Sequence, residues 1–381
     1  MQSSRRQFGK AILAAGGASV FSHLGFAQEE QWTGSNSLRA HAAAHGLMYG
    51  AAARPEFMDV EGFAAGTTTD PYTRLLAEQC NIIVPETALK WNVLRPAPDK
   101  FDFAPADKVM RFAELAHQRV RGHNLCWYAF LPGWFEKTAN KENARTLLTD
   151  HINTVAGRYR GKMHSWDVVN EAIDPKSSRQ DGLRKSLWLD LIGPDYIDLA
   201  FTTAAQADPK AKLTYNDFGF ELDTPDDNAK RAKILALVKG LKARGVPIHA
   251  VGIQSHFLAP QPMPGGGLIK FIRELRSMGL EAYVTEMDIN AARYPGGPEE
   301  MDSGVAKGYR DYLRLVLAEP NVPLVMTWGI TSAHTYINII KQAWLMRLDG
   351  VPQRPLPFDD AYRPTPAFFA MRNAFDSTSR S

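Results

Sequence analysis

The sequence predicts an α/β fold, a TIM (β/α)8 barrel with long strand-to-helix loops, and three observations lead there. Short apolar runs rich in β-branched and aromatic residues recur eight times, separated by segments of helical periodicity. Joins from helix to strand are short, such as Arg119 and Arg244–Pro247, while joins from strand to helix are long. No Gly-x-Gly-x-x-Gly turn opens an early helix, which argues against the competing doubly wound sheet in its dinucleotide-binding form.

The apolar runs lie near Leu47–Ala52, Ile82–Pro85, Val120–Trp127, His164–Val169, Lys212–Tyr215, Ala250–Ile253, Ala282–Val284 and Val322–Thr327. Between them, Ala104–Gln118 gathers Val109, Phe112, Ala113, Leu115 and Ala116 on one helical face. Asn143–Tyr159, Asn228–Arg244, Leu268–Met278 and Val305–Leu317 behave likewise, and Gly161, Gly245 and Gly279 follow helices where a left-handed cap is expected. The long joins are Tyr128–Glu142, Ala172–Pro194, Leu258–Gly267, Ile289–Gly304 and Ile330–Pro364. In a barrel they share the C-terminal face, where active sites sit.

Of 381 residues, 45% are hydrophobic and 22% charged, the balance of an ordinary folded chain. Cys80 and Cys126 are too few for a disulfide scaffold or a Cys-rich metal cluster, and both sit in apolar runs that suit buried free thiols. A net charge of +3, thinly spread, excludes a polyanionic partner such as nucleic acid. Arg5-Arg6 with Phe8 and Lys10, then an apolar small-residue stretch to Ala27, predict a twin-arginine-type signal over 1–27. Export to the periplasm or beyond is expected, and cleavage would remove three cations and leave 41 charges of each sign. A polar lead over 28–38, one barrel domain over 39–376 and a tail over 377–381 complete the division. No later segment has the roughly 18 apolar residues of a membrane span.

Acidic residues at barrel-strand ends stand out, because a carboxylate against an apolar interior is costly unless something compensates it. Glu86 ends the second run, Glu171 the fourth and Glu286 the seventh. Taken singly, each suits a helix-cap neighbour or a surface ion pair. The fourth and seventh strands face each other across an eight-stranded barrel, so Glu171 and Glu286 form an opposed pair. Glycosidic-bond hydrolysis needs such a pair, one member to protonate the leaving oxygen and one to attack or activate water. Asn170 precedes Glu171, while Asp288 and His256 stand near Glu286, where a histidine held by Asp288 would keep Glu286 ionised.

At these residues the chain resembles the family 10 glycoside hydrolases, typically endo-β-1,4-xylanases, over about Leu38 to Phe375. Trp166-Asp-Val-Val-Asn-Glu171, Gly252-Ile-Gln-Ser-His256, Thr285-Glu-Met-Asp-Ile289 and Arg121-Gly-His123 carry it, with Tyr215-Asn-Asp217, Trp328-Gly-Ile-Thr331 and 357–366. The resemblance implies retaining hydrolysis of xylan, with Glu171 as acid/base, Glu286 as nucleophile, and carboxyl groups about 5–5.5 Å apart. It implies His256 and Asp288 as supporting residues. The substrate-binding set it implies is Glu86, Lys90, His123, Trp127, Asn170, Tyr215, Gln254, Trp328 and Tyr336. No metal or cofactor is expected, and a monomer is. The chain departs from the family pattern at Thr87, at Tyr128-Ala129-Phe130, at Ser332 and at Tyr336. Thr87 and Phe130 would fall on the glycone side, so a decorated xylan, short oligomers or another β-glycan is the alternative substrate. A non-catalytic sugar-binding barrel is a further alternative, and a metal hydrolase is disfavoured by the lack of a His-Glu-x-x-His helix.

Overall fold

Among the described residues nine strands form, all parallel: β1 (Met48–Ala53), β2 (Ile82–Pro85), β3 (Arg119–Trp127), β4 (Ser165–Asn170), β5 (Lys212–Asp217), β6 (Ala250–Ile253), β7 (His256–Leu258), β8 (Glu281–Asn290) and β9 (Leu324–Thr327). Eight pair in the order β6-β5-β4-β3-β2-β1-β9-β8, and β6 bonds back to β8 to close the ring. The predicted barrel is the observed fold. The computed structural model describes residues 31–340, 342 and 345–378, so the predicted export segment lies outside the described residues. Among the described residues no helix is long and apolar enough to cross a membrane.

Parallel strands are covered on both faces, and β2, β4, β6 and β9 are buried throughout. Their alternation divides the core in two. Ala52, Ile82, Val84, Ala250, Tyr283, Leu324 and Met326 fill the barrel interior beneath Trp328, and a larger apolar layer lies between strands and helices. Both cysteines are buried free thiols. Gly161, Gly245 and Gly279 adopt φ of 76°, 70° and 73° just beyond their helices, as a left-handed cap requires.

Three elements differ from expectation. The strand expected over Ala282–Val284 continues to Asn290: Thr285, Glu286, Asp288 and Asn290 interrupt the apolar run, and the pairing with β9 shifts register between Val284 and Met287 but resumes beyond, where β7 also pairs. β7 is an additional short strand on the outer half of β8, pairing His256 with Asp288. The helix expected from Val305 begins at Pro298, so the loop expected over Ile289–Gly304 is short; proline at its first position and Glu299 and Glu300 in its first turn suit a helix start. The other long loops stand as expected, with single helical turns or short helices inside them, such as Gly133–Thr138, Leu187–Ile192 and Tyr336–Ile339.

Candidate active site

Glu171 follows β4 with φ of 60°, a left-handed conformation that disfavours an L-residue by about 1–2 kcal/mol. It is held there from both sides: its N–H donates to Asn216 O at 2.8 Å, and its carbonyl accepts from Arg184 Nε at 2.8 Å. The turn aims the carboxyl into the barrel mouth. There Oε1 accepts from Gln254 Nε2 at 2.9 Å and Asn170 Nδ2 at 3.1 Å, and Oε2 accepts from Trp127 Nε1 at 3.0 Å.

Glu286 enters from β8. Its Oε1 accepts from Asn216 Nδ2 at 2.7 Å, and its Oε2 lies 3.3 Å from His256 Nε2. The other ring nitrogen of His256 meets Asp288 Oδ1 at 3.0 Å, which fixes the ring between two carboxylates. The amide of Asn216 also donates to Asn170 Oδ1 at 2.9 Å and accepts from Thr285 Oγ1 at 2.8 Å. Gly252 makes room for it, since a Cβ there would lie 2.1 Å from Asn216 Oδ1.

Both glutamates are about 95% buried, yet their surroundings drive them apart. Burial raises the Glu171 carboxyl above the usual range, the charges of Asp217 and Glu286 add to that, and the Gln254 and Trp127 donors only partly oppose it. Burial also acts on Glu286, but the His256 hydrogen bond, the His123 and His256 charges and the Asn216 donor together hold its carboxyl below the usual range. Burial opposes a charge on His256, while Asp288 and Glu286 raise its pKa well above the ordinary value. A carboxyl that holds its proton more tightly than usual and one that releases it more readily thus face one mouth, the division of labour that acid-assisted displacement requires.

Lys90 supplies the positive charge beside them. Its Nζ lies 4.6 Å from the Phe130 ring centroid, 5.3 Å from that of Trp127 and 5.7 Å from that of Trp328. Burial lowers its pKa, against Glu86, Glu286 and Glu171. Burial raises Glu86 to about 7, opposed by Arg54 and Lys90. His123 is oriented by Asp167 at 3.0 Å, which also pairs with Arg121, and meets Trp328 edge-on at 5.2 Å. Tyr336 stands edge-on to His256 at 6.0 Å.

The structure brings together Glu86, Lys90, His123, Trp127, Asn170, Gln254, His256, Asp288, Trp328 and Tyr336 around Glu171 and Glu286. Tyr215 is the exception and a correction: it is fully buried, with its hydroxyl bonded to Asp217 and to the Ile173 N–H, so it does not line the mouth. Strand alternation explains this. Tyr215 and Asp217 face the outer layer, where Asp217 meets Lys230 Nζ at 2.7 Å, and Asn216 between them faces the interior. The exposed aromatic beyond β5 is Phe218. Sequence reasoning missed Asn216, Asp217 and Arg184 as parts of the site, although the Tyr-Asn-Asp motif contained the first two.

The model of glycosyl hydrolase family 10 matches residues 37–374. The chain is a family 10 glycosyl hydrolase. A β-1,4-xylanase of Dictyoglomus thermophilum is 36% identical over 308 residues, which cover 78% of this chain and 83% of that protein. Endo-1,4-β-xylanase B of Thermotoga neapolitana is 32% identical over 322 residues, covering 83% and 88%. The family 10 barrel also matches the crystal structure of xylanase 10B from Thermotoga petrophila RKU-1 in complex with xylobiose, with a TM-score of 0.76 and 31% identity over 89% of this chain and 97% of that one.

Proposed function

We propose that the chain is an endo-1,4-β-xylanase working by double displacement, with Glu171 as acid/base and Glu286 as nucleophile. The observation that carries this is the opposite tuning of the two carboxyl groups. Glu286 attacks the anomeric carbon while Glu171 gives its proton to the leaving glycosidic oxygen. Water then gives a proton to Glu171 and attacks the same carbon, which breaks the glycosyl ester and restores the original anomer. The rings of Trp127, Trp328 and Tyr336 offer faces and edges to sugar, and Lys90, Asn170 and Gln254 offer donors to its hydroxyls.

The segment 1–27 directs export by the twin-arginine route in this reading, supported by its paired arginines and small apolar stretch. N-terminal sequencing of exported protein tests it, and a product still carrying Arg5 would count against it. Phe130, about half exposed and stacked on Trp127 at 5.0 Å, favours a glycone subsite that grips a sugar by its face.

Chromatography of products from xylan and defined xylo-oligosaccharides tests the activity, and NMR of the fresh product anomer tests the mechanism. Glu286→Ala is expected to abolish turnover with the melting curve retained. An inverted anomer, or full activity in that variant, would refute the assignment.

A further inference from the structure

Ser255, like Glu171 and Phe130, is left-handed, with φ of 64°, and it sits in the break between β6 and β7. Its neighbours are two side chains that each hydrogen-bond one of the glutamates. Gln254, before it, donates to Glu171, and His256, after it, meets Glu286. The N–H of Ser255 donates to Glu221 Oε1 at 2.9 Å, and the second oxygen of that carboxylate accepts from the Phe220 N–H at 2.7 Å. Glu221 is 4% exposed, and Ser255 is fully buried, with its hydroxyl 2.6 Å from that of Tyr312. The loop bearing Glu221 is itself fixed, since Arg231 donates to the Phe220 and Leu222 carbonyls.

We infer that Glu221 is a positioning residue, which holds the Ser255 turn left-handed and so sets the Gln254 contact to Glu171 and the His256 contact to Glu286 together. The inference rests on the proposed roles of those two glutamates. Glu221 thus commits its carboxylate to backbone N–H groups away from the mouth, with the Lys230 charge nearby. The left-handed conformation is unfavourable for serine, and a charge-assisted hydrogen bond to its N–H offsets that strain.

The consequence is legible in a pH profile. Gln254 and His256 each favour the ionised form of the carboxyl they touch. Loosening the turn therefore raises both, moving the alkaline limb set by Glu171 and the acid limb set by Glu286 upward. The other titratable groups facing the pair, Asp217, Lys90, Glu86, Asp288, His123, Tyr128 and Tyr336, sit on other segments. Lys230 and the Tyr312 hydroxyl are the groups that face Glu221 itself.

The test is the pH dependence of kcat on xylan, with melting temperature, for Glu221→Met alone and combined with Ser255→Gly or Ser255→Ala. Methionine keeps the length and accepts from neither N–H. The single variant is expected to lose about tenfold or more in kcat, with both limbs raised by about half a unit. Glycine adopts the left-handed turn freely, so Glu221→Met/Ser255→Gly is expected to return both limbs toward the original. Glu221→Met/Ser255→Ala, which lacks the same hydroxyl and retains the strain, is not. Glycine leaves the lost charge unrestored, so its rescue separates the turn from the charge. Unmoved limbs in Glu221→Met, or equal behaviour of glycine and alanine, would overturn the inference. Should Glu221→Met not fold, glycine must restore folding where alanine does not, and failure of both overturns it too. A fully active Glu286→Ala would instead overturn the catalytic assignment beneath it.

Discussion

Asn216 on β5 donates its side-chain amide to Glu286 Oε1 on β8 at 2.7 Å, across the width of β6. The same amide reaches Asn170, which donates to Glu171, so two amides link the proposed acid and nucleophile. Replacing Asn216 by Ala removes a donor that stabilises the Glu286 carboxylate. The acid limb of the kcat profile is expected to rise, and turnover to fall by about a hundredfold. Kinetics on xylan across pH measure both, and an unmoved acid limb would rule out the electrostatic role.

Asp217 acts on the other carboxyl. After burial, its charge contributes most to raising Glu171. Asp217→Asn is expected to lower the alkaline limb, the direction opposite to that expected of Glu221→Met. It also leaves the buried Lys230 ammonium without its 2.7 Å partner, so stability should fall by about 3 kcal/mol, read by denaturant titration.

Glu86 carries a pH signature of its own. Burial raises its carboxyl to about 7 in the folded chain, so the native state holds a proton that the unfolded state releases near the ordinary carboxyl value. Stability is therefore lost as pH rises from about 4.5 to about 7, by an amount on the order of 3 kcal/mol. Glu86→Gln should remove that slope. Equal pH dependence of the melting temperature in the two proteins would show that Glu86 titrates normally.

Phe130 offers a half-exposed phenyl face at the mouth, and Lys90 Nζ lies 4.6 Å from its ring centroid. Phe130→Gln is expected to change the relative kcat/KM on xylo-oligosaccharides that differ only at the non-reducing side. A variant with the same preferences would remove Phe130 from the specificity argument.

The barrel was legible because each buried parallel strand is a short apolar run and each helix carries an apolar stripe. Glu171 and Glu286 were legible because carboxylates closing such runs have no ordinary reason to be there. The Tyr-Asn-Asp motif alone does not say which residue faces the mouth: alternation puts Asn216 inside and sends Tyr215 outward. β8 was cut short because its polar residues look like a loop until their partners on β7 and β9 are known. Glu221 and Arg184 left no trace, since each acts on a backbone group distant in sequence, and periodicity reports only on a residue's own element.

Two amide N–H groups converge on Oε1 of Glu171, while the Trp127 indole donates to Oε2 and the Tyr128 hydroxyl is also hydrogen-bonded to the carboxyl. Two N–H groups fill both lone pairs of a carboxyl oxygen, so Oε1 is the carbonyl of the protonated acid. In the proposed mechanism the travelling proton thus resides on Oε2, beside the indole of Trp127. The leaving oxygen must therefore arrive along that edge, and the amides of Asn170 and Gln254 decide the side from which the bond is broken without touching it.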